Sequence, residues 1–90
     1  MAVLLVTFEL DDPDDPRVAE ILLLIKKRHS WVRLAAQSYA VETTKGAAWM
    51  LERFDRLGRA GLRCYVIALK GPWEGRGPEA VTVWLRRRLG

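Results

Sequence analysis

The chain predicts an α+β fold: one antiparallel sheet built in the order βαββαβ, with both helices on one face and a short helix added at the C-terminal end. Three observations carry this. An aliphatic run, Ala2-Val3-Leu4-Leu5-Val6-Thr7-Phe8, ends at once in Glu9, as a buried strand does when it delivers a carboxylate at its tip. Two later segments repeat apolar residues at helical spacing. Around them lie β-rich runs, two short ones separated by a turn and one long one that is apolar at every other position on both of its faces.

After the first strand comes an acidic turn, Asp11-Asp12-Pro13-Asp14-Asp15-Pro16, so that with Glu9 the strand-to-helix junction carries five of the eleven acids. Asp15 followed by Pro16 is a cap plus a first-turn proline, and Val18, Ile21, Leu22, Ile25 and His29 recur at helical spacing, giving a first helix from Pro16 to about Arg28. Lys26, Lys27 and Arg28 then suit the negative end of its dipole. Trp31 to Leu34 and Tyr39 to Thr43 form a hairpin about Ala35-Ala36-Gln37-Ser38. Thr44 is the expected cap of a second helix, whose face is Ala47, Met50, Leu51, Phe54 and Leu57 and whose end is Gly58. Leu62 to Leu69 is the last long strand. Pro78 and Glu79 open a terminal helix through Val81, Trp84, Leu85 and Leu89, although Val81, Val83 and Leu85 also alternate as a strand would. This order is the split βαβ of ferredoxin-like folds.

Ninety residues form a single domain, residues 1–90, close to the size at which a second copy often completes the core. Half the residues are apolar and there is no low-complexity stretch, so the chain is globular. Its apolar runs are far shorter than the roughly 20 residues of a membrane span and no secretory signal precedes them, so no membrane partner and a cytoplasmic location are expected. A lone Cys64 excludes an internal disulfide and a zinc cluster. The sheet has a bare face once two helices cover the other. Either Cys64, Val66 and Ala68 or Tyr65, Ile67 and Leu69 lie on it, and an apolar patch of that kind marks an interface, most often that of a symmetric homodimer. The expected dimer contacts are Tyr65, Ile67 and Trp84, the last on a tail with no evident place on a lone sheet.

The net charge is +4, with a pI near 9.7. Outside the acidic turn the charge is dominated by arginine, whose planar fork suits phosphate oxygens. Arg33, Arg53 and Arg56 are the candidate nucleic-acid contacts. No serine or threonine has a paired base, His29 has no second histidine beside it, and Gly71, Gly75 and Gly77 do not form a phosphate-cradling loop. The acidic turn lacks the spacing of a calcium loop and serves the helix N-terminus. Trp49 lies opposite the Met50 and Phe54 face, where it would meet a partner or pack beneath the C-terminal tail. No aromatic stacking platform of the RNA-reading type is visible.

Val6-Thr7-Phe8-Glu9-Leu10, the hairpin from Trp31 to Thr43, Tyr65-Val66-Ile67-Ala68-Leu69 with Gly71 and Trp73, and Val83-Trp84-Leu85 together resemble the family of the second CRISPR-associated protein, here called Cas-two, with its SinR-family and VapD-like relatives. The resemblance spans almost the whole chain through motifs that are mainly structural. It implies a ferredoxin-like homodimer with its sheets facing, acting as a metal-dependent endonuclease or as the bridging dimer of a DNA-integrating complex. It also implies a Mg or Mn ion held by the acid at the end of the first strand, usually aspartate; Glu9 stands there in this chain, as the catalytic and metal-binding candidate. Two copies of Glu9 would meet near the dimer axis. The competing expectation is a catalytically inactive interaction protein of toxin-antitoxin or stress type.

Overall fold

Alternation along the first strand, β1 (Ala2–Leu10), sends Leu4, Val6, Phe8 and Leu10 to one face, where each is buried. The computed structural model describes every residue from Met1 to Gly90. β1 is followed by α1 (Arg17–Lys26), β2 (Ser30–Ala35), β3 (Ser38–Thr43), α2 (Ala47–Asp55), β4 (Leu62–Leu69) and α3 (Glu79–Leu89). The strands form one sheet in the order β2-β3-β1-β4, every pairing antiparallel, which is the ferredoxin-like arrangement expected from the sequence. The core is a sandwich of sheet and helices: Ile21 and Ile25 of α1 and Met50 and Phe54 of α2 close on the four β1 side chains together with Tyr39 and Val41 of β3.

The acidic turn does the structural work assigned to it. Asp12 Oδ1 accepts the Asp14 N–H at 2.9 Å, and Asp15 Oδ1 accepts the Arg17 N–H at 2.9 Å, occupying an otherwise orphaned donor of the first helical turn. Arg17 then turns its guanidinium outward from α1, donating to the carbonyl oxygens of Gly58 at 2.6 Å and Ala60 at 2.7 Å while ion-paired to Asp15 at 2.7 Å. One side chain thus ties the start of α1 to the loop that leads into β4. Gly58 ends the α2 segment with φ +110°, a left-handed conformation that glycine adopts without a Cβ penalty.

The cap of α2 differs from expectation. Gly46, in extended conformation, occupies the cap position, and Thr44 is exposed. The hydroxyl that acts is that of Thr43, which accepts the Lys45 N–H at 3.0 Å. Thr43 is the last residue of β3 and is buried, so its Oγ1 folds over the turn two residues on, as threonine turns do.

The terminal segment is a helix. Glu79 in its first turn and Arg86, Arg87 and Arg88 in its last all complement the dipole, which an alternating strand would not reward. α3 lies on the sheet face away from α1 and α2, and there Trp84 does have a place, contrary to the expectation that a lone sheet offers it none. Its indole N–H donates to Ser30 Oγ at 3.0 Å, and the Arg88 guanidinium stacks on its ring at 4.1 Å while ion-pairing with Glu42 at 3.3 Å. Ser30, Glu42 and Val3 are register partners across β2, β3 and β1, so α3 covers one end of that face, and Val3 is buried there. The close approach requires glycine at position 71, because a Cβ there would stand 2.7 Å from the Leu89 carbonyl oxygen. No helix is long and apolar enough to cross a membrane.

Candidate functional site

Strand register decides the surroundings of Glu9. Glu9 of β1 lies directly opposite Arg63 of β4, and the two side chains form an exposed ion pair. Beside them Thr7 Oγ1 and Ser38 Oγ share a hydrogen bond of 2.8 Å, and Tyr65 completes a shallow depression at this end of the sheet. A magnesium or manganese site needs hard oxygen donors with open positions for water and phosphate. Within one chain the donor set does not fit: the single carboxylate is engaged by a guanidinium, and no group of three or more His, Cys, Asp or Glu side chains is arranged to hold an ion. Of the turn's acids, Asp12 accepts the Asp14 N–H and Asp15 the Arg17 N–H, and Arg17, through its hydrogen bonds and ion pair, holds the Asp15 carboxyl below the usual carboxylate range.

The same alternation settles which face β4 leaves bare. Cys64 and Val66 pack on the helix-covered core, whereas Tyr65 and Ile67, register partners of Thr7 and Leu5, remain 65% and 50% exposed beyond the edge of α3. Burial pushes the Cys64 thiol up to about 11, with Asp55 adding a smaller electrostatic push in the same direction. A thiol so placed is a core side chain and a poor nucleophile.

The three candidate arginines separate. Arg33 donates to the carbonyl oxygens of Ala35 and Ala36 at 3.2 and 3.0 Å, closing the irregularity where β2 slips against β3. Arg56 is paired with Glu52 one turn back at 2.9 Å. Arg53 alone projects into a large groove of about 1140 Å³ between α1 and α2 on the helical side of the molecule. That groove also receives Lys26, Lys27, Arg28 and Lys45, against only Glu20 and the Arg88-paired Glu42. None of its five cations takes part in an ion pair, whereas Arg17, Arg56, Arg59, Arg63 and Arg88 all do.

Trp49 lines this groove rather than packing beneath the tail, since α3 is on the opposite face. Half-buried against the core, its ring is approached by Lys45 Nζ at 5.3 Å from the centroid and Arg53 Cζ at 5.1 Å. Lys45 was not among the expected contacts; it precedes the cap of α2, so only Trp49 and Arg53, four residues apart, form a helical row that spacing can signal. His29 lies at the same groove, and burial alone lowers its pKa below the usual imidazole value, so it is neutral at pH 7.

Comparison of the chain with protein-family models, curated proteins and solved structures found no match. Fold and site together define a class: a small ferredoxin-like α+β protein with a partly bare sheet face on one side and an unneutralised basic groove on the other.

Proposed function

We propose that this chain is a Cas-two-like homodimer that engages nucleic acid as a binding or bridging subunit and does not cleave it. The observation that carries the reading is the pair Glu9–Arg63. At the position where the resembled family holds its metal-binding acid, this chain has a longer side chain already neutralised by the residue opposite it. A metal-dependent endonuclease would need both Glu9 carboxylates of a dimer freed from Arg63 and brought together. The unpaired cations favour a nucleic-acid partner, and the exposed Tyr65 and Ile67 favour a second copy.

The test combines binding and cleavage. Purified protein is incubated with duplex and single-stranded DNA and with RNA, in Mg or in Mn, alongside Glu9→Gln and Glu9→Asp. The expected result is salt-sensitive binding by all three proteins and no cleavage by the natural sequence. Metal-dependent cleavage that disappears in Glu9→Gln would establish the nuclease and overturn this reading. Absence of any nucleic-acid binding at about 50 mM salt, where phosphate contacts are strong, would leave the inactive interaction protein in its place.

A further inference from the structure

We infer that the groove between α1 and α2 is a binding site for an unpaired nucleotide base carrying its phosphates, with Trp49 as the stacking surface and Lys45 and Arg53 as the phosphate contacts. The inference deepens the nucleic-acid reading and rests on it, but it assigns the contact to the helical side of the molecule, away from Glu9 and from the bare sheet face.

The argument starts from what the groove holds. Five cations without carboxylate partners stand around it, two of them within cation–π range of the same indole ring. Neutral surroundings would leave such charges to water. An indole with two flexible cationic side chains over its ring offers what a nucleotide can use: the cations can turn to the phosphate and yield the flat π-face to the base. Base–aromatic stacking with a cationic track along the backbone is how single strands are held without reading sequence. A duplex has its base faces occupied by its own stack, so it gains from the cations and not from the ring. At about 1140 Å³ the groove is larger than the roughly 300–1,000 Å³ of small-molecule sites, which gives room for several linked nucleotides. Continuity supports the same direction, because Lys26, Lys27 and Arg28 extend the positive wall along α1 and beyond its C-terminal end.

The experiment measures fluorescence anisotropy of a labelled oligothymidine of about 12 nucleotides, within the range of single-strand site sizes, with the full chain at about 50 mM salt. Trp49→Leu should weaken binding about tenfold or more, and Trp49→Phe should restore most of it, since one lost stack is worth a factor of that order. Lys45→Ala combined with Arg53→Ala should make the log–log salt dependence shallower by about 1.4, at roughly 0.7 per single-strand phosphate contact. Arg76→Ala, in the exposed loop outside the groove, should bind as the natural sequence does. Two sources carry this chemistry, and thymidine monophosphate as competitor separates them. Weak competition identifies a strand, and competition equal to the oligonucleotide identifies a free nucleotide; both uphold the site. If Trp49→Leu does not fold, the Lys45 and Arg53 variants, whose side chains are exposed, decide the matter.

Single-strand binding that is unchanged in the Trp49 and Lys45–Arg53 variants would overturn the groove. So would a duplex that binds more tightly with no dependence on Trp49, or polyglutamate that competes as well as the oligonucleotide. Each of those results leaves the broader nucleic-acid reading standing or replaces it with an acidic protein partner. Failure of strand, duplex and nucleotide alike to bind would overturn both readings.

Discussion

Ile67→Asp tests the second copy directly, because Ile67 is useful to the isolated chain only in part. Half of its surface is exposed in the single protomer. Complete burial of an isoleucine side chain stabilises by about 1.5–3 kcal/mol, so covering the remaining half in a dimer contributes about 1 kcal/mol per copy, or about 2 kcal/mol for the symmetric pair. That alone is about thirtyfold in the dissociation constant, at 1.4 kcal/mol per decade. Aspartate also places an unpartnered carboxylate in the contact twice, each costing at least about 1 kcal/mol, so association should weaken by a hundredfold or more. The fold should hardly change, since an exposed strand position away from caps and core moves stability by about 0.5 kcal/mol or less. Light scattering across a concentration series gives the mass, and urea unfolding of the diluted protein gives the protomer's own stability. The natural chain should return twice the chain mass at micromolar concentration, and Ile67→Asp should return the chain mass with an unchanged unfolding midpoint at high dilution. A natural chain that stays monomeric, or a variant that dimerises as well as the original, would refute the sheet-face dimer.

Three further outcomes are expected. Phe54→Ala, at a fully buried position shared by α2 and the sheet, should lower unfolding free energy by about 3–5 kcal/mol; a loss below about 1 kcal/mol in urea titration would mean the core is not closed by α2 as described. Cys64, with its thiol at about 11, should react with maleimide at pH 8 about a hundredfold more slowly in the folded protein than in urea, and equal rates would contradict its burial. His29 is held neutral by burial, so the unfolded chain binds its proton more readily; stability from this source is complete above about pH 6.5 and falls as pH drops through the lower folded value. Thermal unfolding at several pH values should show a smaller acid loss for His29→Gln than for the natural chain, and identical losses would exclude His29 as the cause.

What the sequence makes legible depends on how far apart the interacting residues are. The strands and the βαββαβ order follow from local alternation and helical spacing, and β4 is found with its full length because both of its faces are apolar. The Asp15–Pro16 start of α1 is equally local. The start of α2 is not, since Gly46 takes the cap position without a side-chain bond and the Thr43 hydroxyl, held at the end of β3, serves the turn before the helix instead. The place of Trp84 depends on Ser30, and the pairing of Glu9 with Arg63 depends on strand register, neither of which local spacing encodes. The basic groove escapes for a related reason: Lys45 precedes the helix that carries Trp49 and Arg53, and the cations of α1 meet them only when the two helices lie side by side.

The position of β1 in the sheet has a consequence for how the chain reaches this state. Both of its neighbours are distant in sequence: Val3 pairs with Glu42 on one side and with Leu69 on the other. The hairpin of β2 and β3 closes locally, within microseconds by the usual timescale of hairpins. The aliphatic strand Ala2–Leu10 has no partner until that hairpin exists, and none on its second edge until Leu62–Leu69 has left the ribosome. During synthesis the most apolar strand therefore waits with an open backbone edge, the state in which chains associate wrongly. A product shortened before β4 would keep that edge permanently, so intact synthesis through Leu69 is a condition for solubility as well as for shape.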